Sequence, residues 1–170
     1  NRRQRQMCIR DSSLAVTSSG TVNTSLLGTY TIDYQATDSQ GNVADVVTRT
    51  VNLVDTQAPV MSLIGDLSQT IQVKSSYTEL GVSTIDNYDL SIPFSSVTVT
   101  GSVDINTVGP YSIDYDVSDS SGNNAVTITR TVVVEDTEAP VIILAGDADI
   151  TLEADSPYSD AGASVTDNYN

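Results

Sequence analysis

Short runs of alternating apolar and polar residues recur along most of the chain. The clearest is YSIDYDV at 111–117, whose apolar members share one face of an extended strand while its serine and aspartates share the other. Similar runs occupy 96–103 and 125–136, and clusters of turn residues separate them. Because this spacing has the period of a strand, and several short strands fit within about 80 residues, the pattern predicts an antiparallel β-sandwich.

Individual positions within these runs support specific expectations. The face of 111–117 that carries Ile113 and Tyr115 should be core, and Asp114 and Asp116 are interpreted as a solvated face rather than a catalytic pair. A tyrosine opens the penultimate strand in "GTYTIDY" and again in "GPYSIDY". This placement resembles the tyrosine corner of immunoglobulin-like folds, in which the hydroxyl bonds back to the chain, with simple core packing as the alternative.

The chain also repeats itself with an offset of 81 residues. Residues 20–56 match 101–137 at 18 of 37 positions, and 55–88 match 136–169 at 16 of 34, with no gap. A period this regular predicts an array of modules. We therefore expect the second half of one repeat at 13–54, a complete repeat at 55–135 and the first half of a third at 136–170, with the natural protein continuing beyond both ends.

The opening segment, NRRQRQMCIRDS, has no counterpart in the repeats and holds the only cysteine, Cys8. It lacks the apolar run of a signal peptide, and a basic arm would sit on a strongly acidic body. Residues 2–12 resemble the translation of an adapter used in preparing sequencing libraries. We interpret 1–12 as an artefact of assembly and leave it out of the fold prediction.

Charge and composition exclude several classes of function. The net charge is −15, and there is no histidine and no nucleotide-binding or nucleophile-elbow motif. An acidic surface argues against nucleic-acid binding, and no apolar stretch is long enough to span a membrane. We therefore predict a protein that is not an enzyme.

Candidate ligands for a metal lie at turns. Following the strands from pole to pole of the predicted sandwich places one group of oxygen-bearing side chains at the same end of the complete repeat: Asp55, Asp86, Asn87 and Asp119. The next junction offers Asp136, Asp167 and Asn168 in the same register. Ca²⁺ prefers such oxygens, which predicts a calcium site at each junction. The alternative is that Asp and Asn are present because turns favour them.

The motifs together, from "DTxAPV" through "DNY" to "DxSGN" and "TRTV", resemble a family of bacterial immunoglobulin-like repeats. The same module is named from an insecticidal crystal protein, and it is similar to the hyalin-type repeat. The resemblance covers 13–170. It implies tandem immunoglobulin-like sandwiches in large secreted or cell-surface proteins, an extracellular location, and a stalk, spacer or adhesion role.

Three functions are consistent with these observations. The first is a structural spacer whose partners are the neighbouring repeats of the same chain, with Ca²⁺ at the junctions. The second is a module that binds a surface glycan or protein on behalf of a secreted enzyme, and the third is an accessory domain of a toxin. The small number of aromatic residues, nine in the whole chain, favours the spacer.

Overall fold

The computed structural model describes residues 14–169, so the predicted artefact at 1–12 lies outside the described residues. Within that range the chain forms eleven β-strands and one short 3-10 helix, Phe94–Ser96. The strands are β1 (Val16–Ser19), β2 (Gly28–Ala36), β3 (Val47–Leu53), β4 (Val60–Leu63), β5 (Ser68–Gln72), β6 (Val82–Ile85), β7 (Thr98–Thr100), β8 (Gly109–Asp116), β9 (Ile128–Glu135), β10 (Val141–Leu144) and β11 (Ala163–Thr166). The predicted all-β class is confirmed.

The chain divides into two compact units, one ending at Thr56 and the other beginning at Gln57. In the first unit β1, β2 and β3 form an antiparallel three-stranded sheet. Every described residue from 14 to 54 is exposed or half-buried. The described part of this unit is therefore a single sheet, and residues 14–56 supply no second sheet to cover its apolar face.

The second unit contains the sandwich. One layer is a four-stranded sheet in the order β5-β9-β8-β7, in which β5 runs parallel to β9 and the other pairs are antiparallel. The other layer is the antiparallel pair β4-β6. A further antiparallel pair, β10-β11, follows in the third repeat. Splitting β4 and β5 between two sheets lets one stretch of chain cross from layer to layer.

The core lies between these two layers. Met61 and Val82 from the small sheet pack against Ile113, Tyr115 and Val117, which continue the inward face of β8. Tyr115 is fully buried, as expected from the alternation in 111–117. The buried apolar residues among those described all belong to the complete repeat: Met61, Val73, Val82, Val97, Ile113, Tyr115, Val117, Val132 and Val134.

Equivalent strands begin 81 residues apart: β2 and β8, β3 and β9, β4 and β10, β6 and β11. The turn after the short strand β7 shows why one glycine recurs. Gly101 has a φ of 105°, and a Cβ built there would lie 2.2 Å from the Ser112 carbonyl oxygen. A Cβ built on Gly20 would likewise lie 2.3 Å from the Thr31 carbonyl oxygen. No larger residue fits either position without moving the backbone.

Some strand limits differ from the prediction. The strand expected at 96–103 is only Thr98–Thr100, because a 3-10 turn precedes it and the strained Gly101 ends it. The sequence also predicts one interrupted strand over 60–64 and 70–73, but these segments fall in β4 and β5, which belong to different sheets. The strand expected from 125 begins at Ile128.

The predicted tyrosine corner is confirmed in both copies. The Tyr111 hydroxyl donates to the Thr107 carbonyl at 2.8 Å, and the Tyr30 hydroxyl donates to the Leu26 carbonyl at 2.6 Å. Asp114 on the opposite face accepts a hydrogen bond from the Thr129 hydroxyl at 2.5 Å across the β8–β9 pair. The outward aspartates of β8 are therefore part of a cross-strand polar ladder.

Candidate functional site

Three carboxylates meet at one end of the complete repeat. One oxygen from each of Asp55, Asp86 and Asp119 lies within 4.8 Å of the other two. Asp86 directly follows β6, and Asp119 lies three residues after β8. Asp55 lies in the linker between β3 and β4, two residues ahead of the second unit. Asp55 and Asp119 are each only 8% exposed.

Asp86 uses its two oxygens differently. Its Oδ2 accepts the backbone N–H groups of Tyr88 at 2.8 Å and Asp89 at 3.0 Å, which closes the turn after β6. Its Oδ1 is buried and has no hydrogen-bond partner among the described residues. Because a buried carboxylate oxygen without a hydrogen-bond partner is costly, formation of the turn after β6 does not account for this atom.

Asp119, by contrast, is fully engaged in its own turn. Its Oδ1 accepts the N–H groups of Ser121 at 2.9 Å and Asn123 at 2.8 Å, and its Oδ2 accepts the Asn123 side-chain amide at 2.7 Å. Burial acts to raise the pKa of Asp119, but the hydrogen bonds from Asn123 and Ser121 outweigh it and lower that pKa. Asp38 has the same bonds to Gln40 and Asn42. The D-x-x-G-N motif is thus a self-contained turn.

The remaining predicted ligands occupy other environments. Asn87, the residue after Asp86, is exposed. Asp136 accepts hydrogen bonds from the Gln72 side chain at 3.1 Å and from the Glu138 N–H at 3.2 Å. Asp167 accepts the Tyr169 N–H at 2.9 Å, and the Oδ1 of Asn168 is buried without a hydrogen-bond partner among the described residues.

The cluster has the charge and spacing that suit a hard divalent cation. Three carboxylates this close repel one another, by about 1 kcal/mol per pair even at the dielectric constant of water and more where they are buried. Calcium lies about 2.3–2.6 Å from each oxygen ligand, so that two oxygens on one ion are at most about 5 Å apart. The observed limit of 4.8 Å fits that geometry.

A second polar group, which we did not predict from the sequence, lies inside the complete repeat. Arg130 is 0% exposed. Its Nη2 donates to the carbonyls of Ile64 at 2.7 Å and Gly81 at 3.2 Å, and its Nη1 donates to that of Asp66 at 3.2 Å. Its Nε lies 3.8 Å from Glu79. The guanidinium therefore ties β9 to both ends of the segment between β4 and β6.

Two tyrosines complete this network. The Tyr77 hydroxyl donates to Glu79 Oε2 at 2.5 Å, and the Tyr115 hydroxyl donates to Glu79 Oε1. Burial acts to raise the pKa of Glu79, but the hydrogen bonds from the two tyrosines and the charge of Arg130 lower it on balance. Burial, followed by the bond to Glu79, raises the pKa of both tyrosines. Since its partners are backbone carbonyls and core side chains, the group is structural.

One signal in the sequence does point to this network. Arg130 alternates with Val132 and Val134, which are the inward-facing residues of β9. A charged residue at a core position requires partners for its donors, and the alternation predicts the position although it cannot identify the partners.

Comparison with known proteins decides the family. The family model described as "Bacterial surface protein, Ig-like domain" matches residues 4–53 and 61–134. The chain belongs to this family. The Ig-like resemblance inferred from the linker and turn motifs is therefore confirmed.

Individual relatives extend the comparison. The Ig-like chain is 34% identical to hyalin from Strongylocentrotus purpuratus over 135 residues, which cover 76% of this chain and 11% of that protein. It is also 34% identical to an uncharacterised 81.3 kDa protein of Acholeplasma phage L2 over 120 residues, which cover 66% of this chain and 16% of that protein. The chain thus spans less than a fifth of the length of these curated relatives.

A solved structure is also similar to part of the Ig-like chain. It is a lipoprotein from Bacteroides thetaiotaomicron, 32% identical with a TM-score of 0.42, and the match covers 48% of this chain and 39% of that one. Among the described residues no helix has the length and apolar character needed to cross a membrane.

Proposed function

We propose that this chain is a non-catalytic segment of an extracellular Ig-like array, which acts as a stalk, spacer or adhesion segment of a large surface or secreted protein. The family assignment carries this proposal. The buried polar residues support it, because Arg130 and its partners hold the two layers together rather than face a cleft. The partners we propose are the neighbouring repeats of the same chain.

We further propose that calcium binds at the pole formed by Asp55, Asp86 and Asp119, and rigidifies the entry to the complete repeat. The buried and unpartnered Oδ1 of Asp86 is the observation that favours a cation here. Asn87, which follows Asp86 in the chain and is exposed, is the fourth ligand that we propose, through its amide oxygen. By the 81-residue register, Asp136, Asp167 and Asn168 are the corresponding ligands of the next junction.

Differential scanning calorimetry of the full chain, with calcium and with EDTA, tests this proposal. Extracellular calcium modules have dissociation constants of order 10⁻⁴ M or weaker. Calcium at about 100 times that constant stabilises a protein by about 2.7 kcal/mol, which for a domain of this size raises Tm by about 10–20 °C. We expect a shift of this order for the wild type.

A matched pair of variants identifies the site. Asp86→Asn should abolish the calcium-dependent shift, because it removes a charge from the cluster. Asp104→Asn removes the same charge from the turn that precedes β8, at the opposite end of that strand from Asp119, and should leave the shift intact. Equal melting temperatures of the wild type in calcium and EDTA would show that these carboxylates are turn residues only.

A further inference from the structure

We infer that the segment from Gln72, the last residue of β5, to Lys74 is a docking site for the next repeat, and that it contacts this junction by direct hydrogen bonds that do not require a bound metal ion. The inference deepens the proposed spacer role and rests on it for its biological purpose. The contacts on which it depends all lie within the second unit. They join the complete repeat to the linker and to the D-N-Y turn of the third repeat.

Gln72 contacts the linker with both ends of its side-chain amide. Its Nε2 donates to Asp136 Oδ1 at 3.1 Å. Its Oε1 accepts the Thr137 backbone N–H at 2.9 Å and the Thr137 hydroxyl at 2.5 Å. A primary amide is the side-chain group that can donate and accept in this way, so Gln72 matches an Asp-Thr sequence, which is the pair that recurs in the linkers of this chain.

Lys74 contacts the turn that follows β11. Its ammonium donates to the backbone carbonyl of Asn168. The residue has a φ of 62°, an unusual conformation for a side chain other than glycine, and its own N–H donates to the Ile105 carbonyl at 2.7 Å. Residues with a Cβ are sterically disfavoured in this left-handed region. Here that conformation is fixed by the neighbouring turn and accompanies the contact of Lys74 with the third repeat.

The charge distribution makes Lys74 distinctive. Among residues 14–169 there are three cationic side chains, and the other one in the second unit, Arg130, is fully buried. At the junction, Lys74 therefore supplies a positive charge to a pole that carries Asp136 and Asp167. The ammonium of Lys74 offsets part of this negative charge, as a bound cation would.

The third repeat has different side chains at the two positions that dock the linker and the turn. The positions that correspond to Gln72 and Lys74 are Glu153 and Asp155, and Asp155 has the same left-handed backbone, with a φ of 63°. Neither carboxylate can donate a hydrogen bond. The backbone shape is thus shared, while the docking chemistry belongs to the complete repeat. These two residues supply the sharpest substitution to test.

Hydrogen exchange of the full chain in EDTA, monitored at the linker 136–140 and at 166–169, tests the inference. Lys74→Ala and Gln72→Ala should each accelerate exchange in these segments about tenfold, as expected for loss of hydrogen bonds to a charged partner. The double variant Gln72→Glu/Lys74→Asp introduces the residues of the third repeat, and it should accelerate exchange in these segments more than either single variant does. Lys74→Arg, which keeps the charge and the donors, should restore most of the protection.

Two controls separate docking from other effects. Arg49→Ala removes one exposed positive charge from the first unit and should leave exchange at 136–140 unchanged. Amides of β8 report whether the complete repeat stays folded, and they should keep wild-type rates in all variants. Unchanged exchange at the junction in both Lys74→Ala and Gln72→Ala overturns the inference. The experiment is done without calcium, so this result is independent of the proposed metal site, which is tested separately by the effect of calcium on the Tm of the wild type and the Asp86 variant.

Discussion

The same tyrosine and arginine occur in two repeats but in very different surroundings. In the complete repeat Arg130 is fully buried and Tyr115 is 0% exposed beside it. In the first unit the equivalent Arg49 is exposed, and its guanidinium lies 5.4 Å from the ring centroid of a half-buried Tyr34. The flanking residues are nearly identical, since Thr-Arg-Thr-Val occurs in both. The environment of the arginine is therefore not encoded by its own strand.

The difference comes from the first half of the repeat. Apart from the Tyr115 hydroxyl, the groups that accept hydrogen bonds from Arg130 or pair with its charge belong to the segment from Ile64 to Gly81, between β4 and β6. The first unit has no described counterpart of that segment, and Arg49 instead stacks on an aromatic ring, which is a weaker interaction. The comparison shows that the two halves of a repeat are joined by a polar network as well as by apolar packing.

Removing the arginine from each place should give the largest contrast. Arg130→Ala should destabilise the complete repeat by about 3–5 kcal/mol, because it leaves several carbonyls in a buried site without their donor and Glu79 without its ion-pair partner. Arg49→Ala should change stability by no more than about 0.5 kcal/mol, as expected for an exposed position. Urea unfolding followed by tyrosine fluorescence measures both.

If Arg130→Ala does not fold, Arg130→Lys keeps the contrast measurable. Lysine retains the charge but has fewer donors in a different geometry. The stability of Arg130→Lys should therefore be intermediate between those of the wild type and the alanine variant. Similar unfolding midpoints for the Arg130 and Arg49 variants would contradict the role of the buried network.

The acidic member of the network should give a smaller and pH-dependent effect. The pKa of Glu79 lies below its ordinary value in the folded protein. Its stabilising contribution is therefore fully present above the unfolded pKa of about 4.3, and is lost as the pH falls through the lower folded pKa. Glu79→Gln should lower the stability of the complete repeat at pH 7, and it should make that stability less dependent on pH below about pH 4.

Asp160, the equivalent residue in the third repeat, is the matched control for Glu79. It is exposed and accepts the Tyr158 hydroxyl at 3.2 Å, without a described counterpart of Arg130. At each pH from 7 to 2, the Asp160→Asn variant should have the same unfolding midpoint of the complete repeat as the wild type. A Glu79→Gln protein with the same pH profile as the wild type would show that Glu79 does not carry this acid sensitivity.

The sequence predicted those features that depend on local pattern. The alternation in 111–117 identified Ile113 and Tyr115 as core, and pole-to-pole reasoning correctly placed Asp55, Asp86 and Asp119 together. These succeed because strand period and strand direction are properties of the chain itself. Whether the three carboxylates bind calcium stays a prediction.

The features that were missed depend on backbone atoms. The main partners of Arg130 are carbonyl groups, and every residue has one, so no side-chain pattern marks which carbonyls will converge. The early end of β7 depends on the close approach of Gly101 to Ser112, which is a tertiary contact. The docking of Gln72 on the linker joins residues 64 and 65 positions apart, and neither residue type identifies that contact in advance.

The smallest contrast concerns the tyrosine corner, which is present in both regions. Tyr111→Phe removes the bond to the Thr107 carbonyl at a half-buried ring and should lower the stability of the complete repeat by about 0.5–1 kcal/mol. Tyr30→Phe removes the equivalent bond to Leu26 in the first unit and should leave the urea midpoint of the complete repeat unchanged. The ring is kept in both variants, so the packing term cancels and the hydroxyl alone is compared. If Tyr111→Phe matches the wild type, the corner follows from packing of the ring, and its hydrogen bond contributes nothing to the stability of the sandwich.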